Sequence, residues 1–70
     1  MNLKNEITGK VLRMPPPNEF GESVVTLNGE FLIRVLFSDA DGGTVTLEDG
    51  RILAAGLEFA TYLVSLLGPE

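Results

Sequence analysis

Apolar positions alternate with polar ones through much of this 70-residue chain and change to helical spacing near its end. After Leu57, the residues Phe59, Ala60, Leu63, Val64, Leu66 and Leu67 gather on one half of a helical wheel, with Glu58, Thr61, Tyr62 and Ser65 opposite. That spacing predicts an amphipathic helix over about 57–67. Glu58 falls in its first turn, where the helix dipole favours an anion, and Gly68-Pro69 is a stop signal. The broad apolar face of such a helix must be buried.

Upstream the signal is that of strands. Asn28-Gly29 separates Val24-Val25-Thr26-Leu27 from Glu30 to Phe37, the pattern of a two-residue type I′ hairpin. In that register Leu27 faces Glu30, Thr26 faces Phe31, Val25 faces Leu32 and Val24 faces Ile33. Phe31, Ile33, Val35 and Phe37 would then line one face, joined by Val24, while Leu32 and Leu36 alternate with Glu30 and Arg34 on the other. The second face is too apolar to be simply wet.

Asp49-Gly50 repeats the hairpin signal, with Glu48 expected opposite Arg51, Leu47 opposite Ile52 and Val45 opposite Ala54. The rival is a helix that starts as early as Asp49. Gly50 and Gly56 would each cost that helix about 1 kcal/mol, which favours the hairpin. The stretch before Met14 reads as a less regular extended segment in which Gly9 permits a bend or bulge, and Pro15-Pro16-Pro17 ends it by removing ladder donors. Asn18 to Glu22 reads as a loop, with Phe20 expected to fold inward.

These elements imply a single α+β domain over residues 1–70. Its expected architecture is a small, strongly curved antiparallel sheet or partly open barrel of four or five strands, about 5–14, 23–28, 30–38, 44–48 and 51–54, followed by the C-terminal amphipathic helix. The order of the strands is not readable from the pattern.

Composition narrows the chemistry. Cysteine and histidine are absent, which removes disulfides, thiolate nucleophiles and Cys/His zinc sites. Ten acidic against five basic side chains give a net charge of −5, which repels nucleic acid at long range. Asp39 and Asp41 could begin a calcium loop, but Gly43, Thr44 and Gly50 stand where the remaining ligands and the obligatory glycine belong, so a solvated turn is the better reading. The other carboxylates sit beside glycines, at strand ends or on the helix's polar stripe, and no histidine serves the hydroxyl side chains as a base. Gly42-Gly43-Thr44 lacks the lysine of a phosphate loop, and Pro15-Pro16-Pro17 lacks PxxP spacing. A non-enzymatic chain without metal or cofactor is expected. Apolar runs are too short for a membrane span, and the first ten residues carry charge where a secretory signal would be apolar, so a cytoplasmic location is expected.

What remains is surplus apolar surface. It points to a protein-interaction or regulatory module, self-associating as a homo-oligomer with a dimer as the first form, or binding another protein. Leu32, Leu36, Phe59, Leu63 and Leu66 are the candidate interface residues. The alternative is a small oligonucleotide-binding barrel that contacts single-stranded nucleic acid through Lys4, Lys10, Arg13 and Arg34, with Phe20 or Phe31 nearby for stacking.

Overall fold

The computed structural model describes residues 1–39 and 43–68. Among them the order is β1 (Asn2–Lys4), β2 (Val11–Arg13), β3 (Glu22–Leu27), β4 (Glu30–Ser38), β5 (Thr44–Leu47), β6 (Ile52–Ala54) and α1 (Leu57–Leu67). Every strand pairs antiparallel with the next, so sheet order follows sequence order from β1 to β6. The sheet curves into a half-barrel, and the single C-terminal helix packs on its inner side against β6 and β2.

Six described strands replace the expected four or five because residues 5–14 do not run straight. The Asn5 side chain accepts the backbone N–H groups of Ile7 and Thr8, and the N–H of Gly9 donates to the Asn5 carbonyl. An Asx turn of this kind competes with extended backbone. The chain therefore folds back as the β1–β2 hairpin, and Ile7 at its tip is left 89% exposed.

The β3–β4 turn is the expected type I′, with φ 53° at Asn28 and 84° at Gly29. The register runs as expected for two pairs, Leu27 with Glu30 and Thr26 with Phe31, and then a bulge intervenes. Val25 pairs with Ile33 rather than Leu32, and Val24 with Arg34 rather than Ile33. One extra residue on β4 exchanges the faces. Val25 is fully buried, whereas Phe31, expected in the core, is 56% exposed.

The β5–β6 connection differs in a similar way. Its loop is Glu48-Asp49-Gly50, closed by the Gly50 N–H to the Leu47 carbonyl and the Leu47 N–H to the Arg51 carbonyl. Gly50 at φ 99° completes a three-residue turn with a bulge, not a two-residue one. Val45 consequently pairs with Leu53, and Thr46 with Ile52. The expected pairs Leu47–Ile52 and Val45–Ala54 are replaced, and Ile52 turns outward. Residues 49–56 thus form the hairpin and its exit, and the helix begins at Leu57. Phe20 also departs from expectation: the Asn18 side chain accepts the N–H groups of Phe20 and Glu22, and this turn leaves Phe20 71% exposed.

The core lies between sheet and helix. Leu12, Val25, Val35, Val45 and Leu47 from the strands meet Phe59, Leu63 and Leu67 of α1, with Met14 alongside. The rings of Phe59 and Phe37 meet edge-on at 5.6 Å between centroids. Gly56 precedes α1 without any side-chain cap, and eleven residues are too few for a stable isolated helix. Packing must hold it, at about 1.5–3 kcal/mol for each large apolar side chain removed from water. Its far end is tied by the Asn5 side-chain N–H donating to the Gly68 carbonyl at 2.6 Å.

Candidate interaction surface

The two bulges decide which side chains reach solvent on the outer, convex face of the sheet. Strand pairs place residues in lateral rows, and paired residues share a face. One outer row runs Asn2, Arg13, Thr26, Phe31. The next carries Val24 and Arg34, with Glu48 alongside, its N–H donating to the Arg34 carbonyl. The row after that runs Glu22, Leu36, Thr46, Ile52. Leu36 is 45% and Ile52 65% exposed.

A groove of about 480 Å³ crosses this face, with Pro15 and Pro16 on one side and Val24, Arg34, Leu36 and Glu48 among its lining. The Ser23 hydroxyl donates to the Pro15 carbonyl at 2.6 Å and holds the proline segment against the sheet. The groove mixes aliphatic carbon with one cation and two carboxylates, Glu22 and Glu48. Such a lining suits binding by contact and hydrogen bonding.

The candidate interface residues fall into two groups. Leu32 and Leu36 are exposed, while Phe59 and Leu63 lie in the chain's own core and Leu66 packs partly against it. The solvent-facing edge of α1 is instead Leu57 with Ala60 and Val64, all exposed. Ile52, Leu57 and Val64 are thus exposed apolar residues that the helical wheel and the two-residue turn assigned to the interior. The clue was Gly50, which can close a three-residue loop as well as a two-residue one.

Among the candidate cations, Lys4, Arg13 and Arg34 share the outer face with Phe31, and the Arg34 guanidinium lies 6.0 Å from the Phe31 ring centre. Lys10 stands apart in the β1–β2 turn, half-buried. Phe20 is in another loop.

Arg51, at the end of the β5–β6 turn, forms a salt bridge to Asp49 at 3.0 Å and rests 5.1 Å from the Tyr62 ring centre. The Arg51 side-chain and backbone N–H bonds to its carboxylate hold Asp49 below the ordinary aspartate range, and the same pairing raises Arg51. Of the two candidate calcium ligands, Asp39 is exposed and Asp41 lies outside the described residues. Among the described residues no group of three or more acidic side chains is placed to hold a metal ion, and no helix is long and apolar enough to cross a membrane.

Comparison with protein-family models, with curated proteins and with solved structures returns no match to this chain.

Proposed function

We propose that this chain is a non-catalytic interaction module that self-associates, most simply as a two-fold dimer. The observation that carries the reading is the large apolar side chains left in water: Leu57 at 84% and Val64 at 59% exposure, two turns apart on one stripe of α1, and Ile52 at 65% on β6. Grouped exposed carbon of this kind is more common at contact sites than on the free surface of a monomer, and a second copy is the simplest cover. The lack of cysteine fits a reducing cytoplasm, where we place it.

Sedimentation velocity over a wide dilution series tests this. A dimer that dissociates on dilution supports it, and a strict monomer at the highest attainable concentration refutes it.

The second reading is contact with single-stranded nucleic acid through Lys4, Arg13, Arg34 and Phe31. It is favoured by their common face and by the solvent-facing Phe31 ring beside a guanidinium. It is opposed by the net charge of −5 and by Glu22 and Glu48 on that face. Fluorescence anisotropy with short single-stranded DNA and RNA at low salt decides it, because phosphate attraction is strongest there.

A further inference from the structure

The two edges of the sheet are not alike. In β1 the sequence Asn2-Leu3-Lys4 includes a lysine, a residue type that commonly protects an edge from pairing. In β6 the sequence is Ile52-Leu53-Ala54, with no charge. Its hydrogen-bond phase follows from its flanks. The Leu47 N–H donates to the Arg51 carbonyl and the Ala55 N–H to the Gly43 carbonyl, so residues 51, 53 and 55 point their backbone groups toward β5. Those of Ile52 and Ala54 point away from the sheet. The Ala54 N–H meets Glu58 Oε1 at 2.6 Å, from the first turn of α1.

We propose that the β6 edge is the seam of self-association, joined antiparallel to β6 of a second copy across a two-fold axis at Leu53. This rests on the self-association proposed above and gives it a geometry. In that register Ile52 of one copy faces Ala54 of the other, and each such pair exchanges both N–H···O bonds, making four across the axis. No other centring on these three residues satisfies the outward groups of both copies.

Charge supports the same occupant. Where Ile52 of the second copy takes the Ala54 N–H, the displaced Glu58 carboxylate lies next to Arg51 of that copy, one residue further along. Arg51, which keeps its bond to Asp49, and Glu58 therefore approach across the axis as opposite charges, twice. On the outer side Ile52, 65% exposed in the single chain, gains cover. Glu58 acts as a latch: in the single chain it occupies the one outward N–H of Ala54, and in the dimer it serves the second copy's cation.

Sedimentation velocity on the full chain and three variants tests the seam. Ala54→Pro removes an N–H that β5 does not use, and proline is tolerated in that position on an edge strand. It should weaken the dimer at least about tenfold, since two of the four bonds and the close approach are lost. Ile52→Lys, which places an edge charge on an exposed position, should do the same with the far-UV circular dichroism unchanged. Leu36→Glu, on the outer face away from the edge, should leave the dimer intact. In the wild type, amide exchange at Ile52 should slow as concentration rises.

A wild-type dimer that Ile52→Lys leaves intact and Leu36→Glu dissociates would overturn the seam while sparing self-association. A wild type that is monomeric throughout would overturn both. Ile52 exchange that is indifferent to concentration in a chain that dimerises would also overturn the seam, including in the event that Ala54→Pro fails to fold.

Discussion

Leu63→Ala separates the two roles that an apolar residue of the terminal helix can have. Leu63 is fully buried and meets the strand residues of the core, so the truncation removes carbon from a packed site that cannot fully collapse. Comparable substitutions cost about 3 kcal/mol, part lost burial and part cavity. A 70-residue domain has roughly 4–10 kcal/mol of stability in total, so the loss is about 30% of it or more. The melting temperature should fall by about 12–24 °C, using about 4–8 °C per kcal/mol for a domain of this size. Leu36→Ala is the control: its side chain is 45% exposed on the outer face, no cavity forms, and the cost should stay below about 1 kcal/mol. Urea unfolding followed by circular dichroism, at one fixed protein concentration because association shifts the midpoint, measures both. Equal midpoints for the two variants would refute the assignment of Leu63 to the core and of Leu36 to the surface.

Three further outcomes follow from named contacts. Gly21→Ala should destabilise more than Gly50→Ala: both have positive φ, but a Cβ at Gly21 would come 2.5 Å from the Phe37 carbonyl oxygen, whereas nothing lies within 4 Å at Gly50. The Gly50 change should cost about 1–2 kcal/mol from backbone conformation alone, and chemical denaturation of the pair tests the ordering. Asn28→Gly keeps the left-handed turn but deletes the Oδ1 that accepts the Val11 N–H at 2.9 Å, so it should cost about 1 kcal/mol and speed amide exchange at Val11. Asp49→Asn should flatten the acid limb of the stability curve. The folded state holds Asp49 below its ordinary value, so its contribution is complete above the unfolded-state pKa and is lost as pH falls through the folded one, and melting temperatures measured from neutral to strongly acidic pH would show it.

Legibility differed from element to element for physical reasons. The terminal helix occupies Leu57–Leu67 as its spacing predicts, because a glycine precedes it, Gly68 follows it and eleven residues repeat one period. The Asn28-Gly29 turn forms for an equally local reason, since both central residues tolerate positive φ. Register was harder. A bulge inside β4 and a third residue in the β5–β6 loop each shift the pairing by one, and every such shift exchanges inner and outer faces. Alternation alone cannot reveal an inserted residue, because Leu32, Ile33 and Val24, Val25 are adjacent apolar pairs that fit either phase.

The candidate surface was legible in part for the same reason. Leu32 and Leu36 could be placed on the second face of β4 from their parity, and the structure exposes both. Phe59 and Leu63 could not be told from Leu57 and Val64 on a wheel, because a wheel gives the width of an apolar face and not the part of it that the sheet covers. Lys4, Arg13 and Arg34 reach one face only because β1 through β4 are neighbours in the sheet, a fact of strand order.

By itself the sequence determined what depends on neighbours in the chain: the helix and the positions of the Asn28-Gly29 and Asp49-Gly50 hairpin turns, with cysteine and histidine chemistry ruled out by composition. Tertiary structure alone decided the faces. Side chains alternate with period two, so a single inserted residue costs little locally yet turns Val25 into the core and Phe31 and Ile52 out to water. Which of those alternatives is stable is set by the packing of the half-barrel on Phe59, Leu63 and Leu67, a contact between residues far apart in the chain.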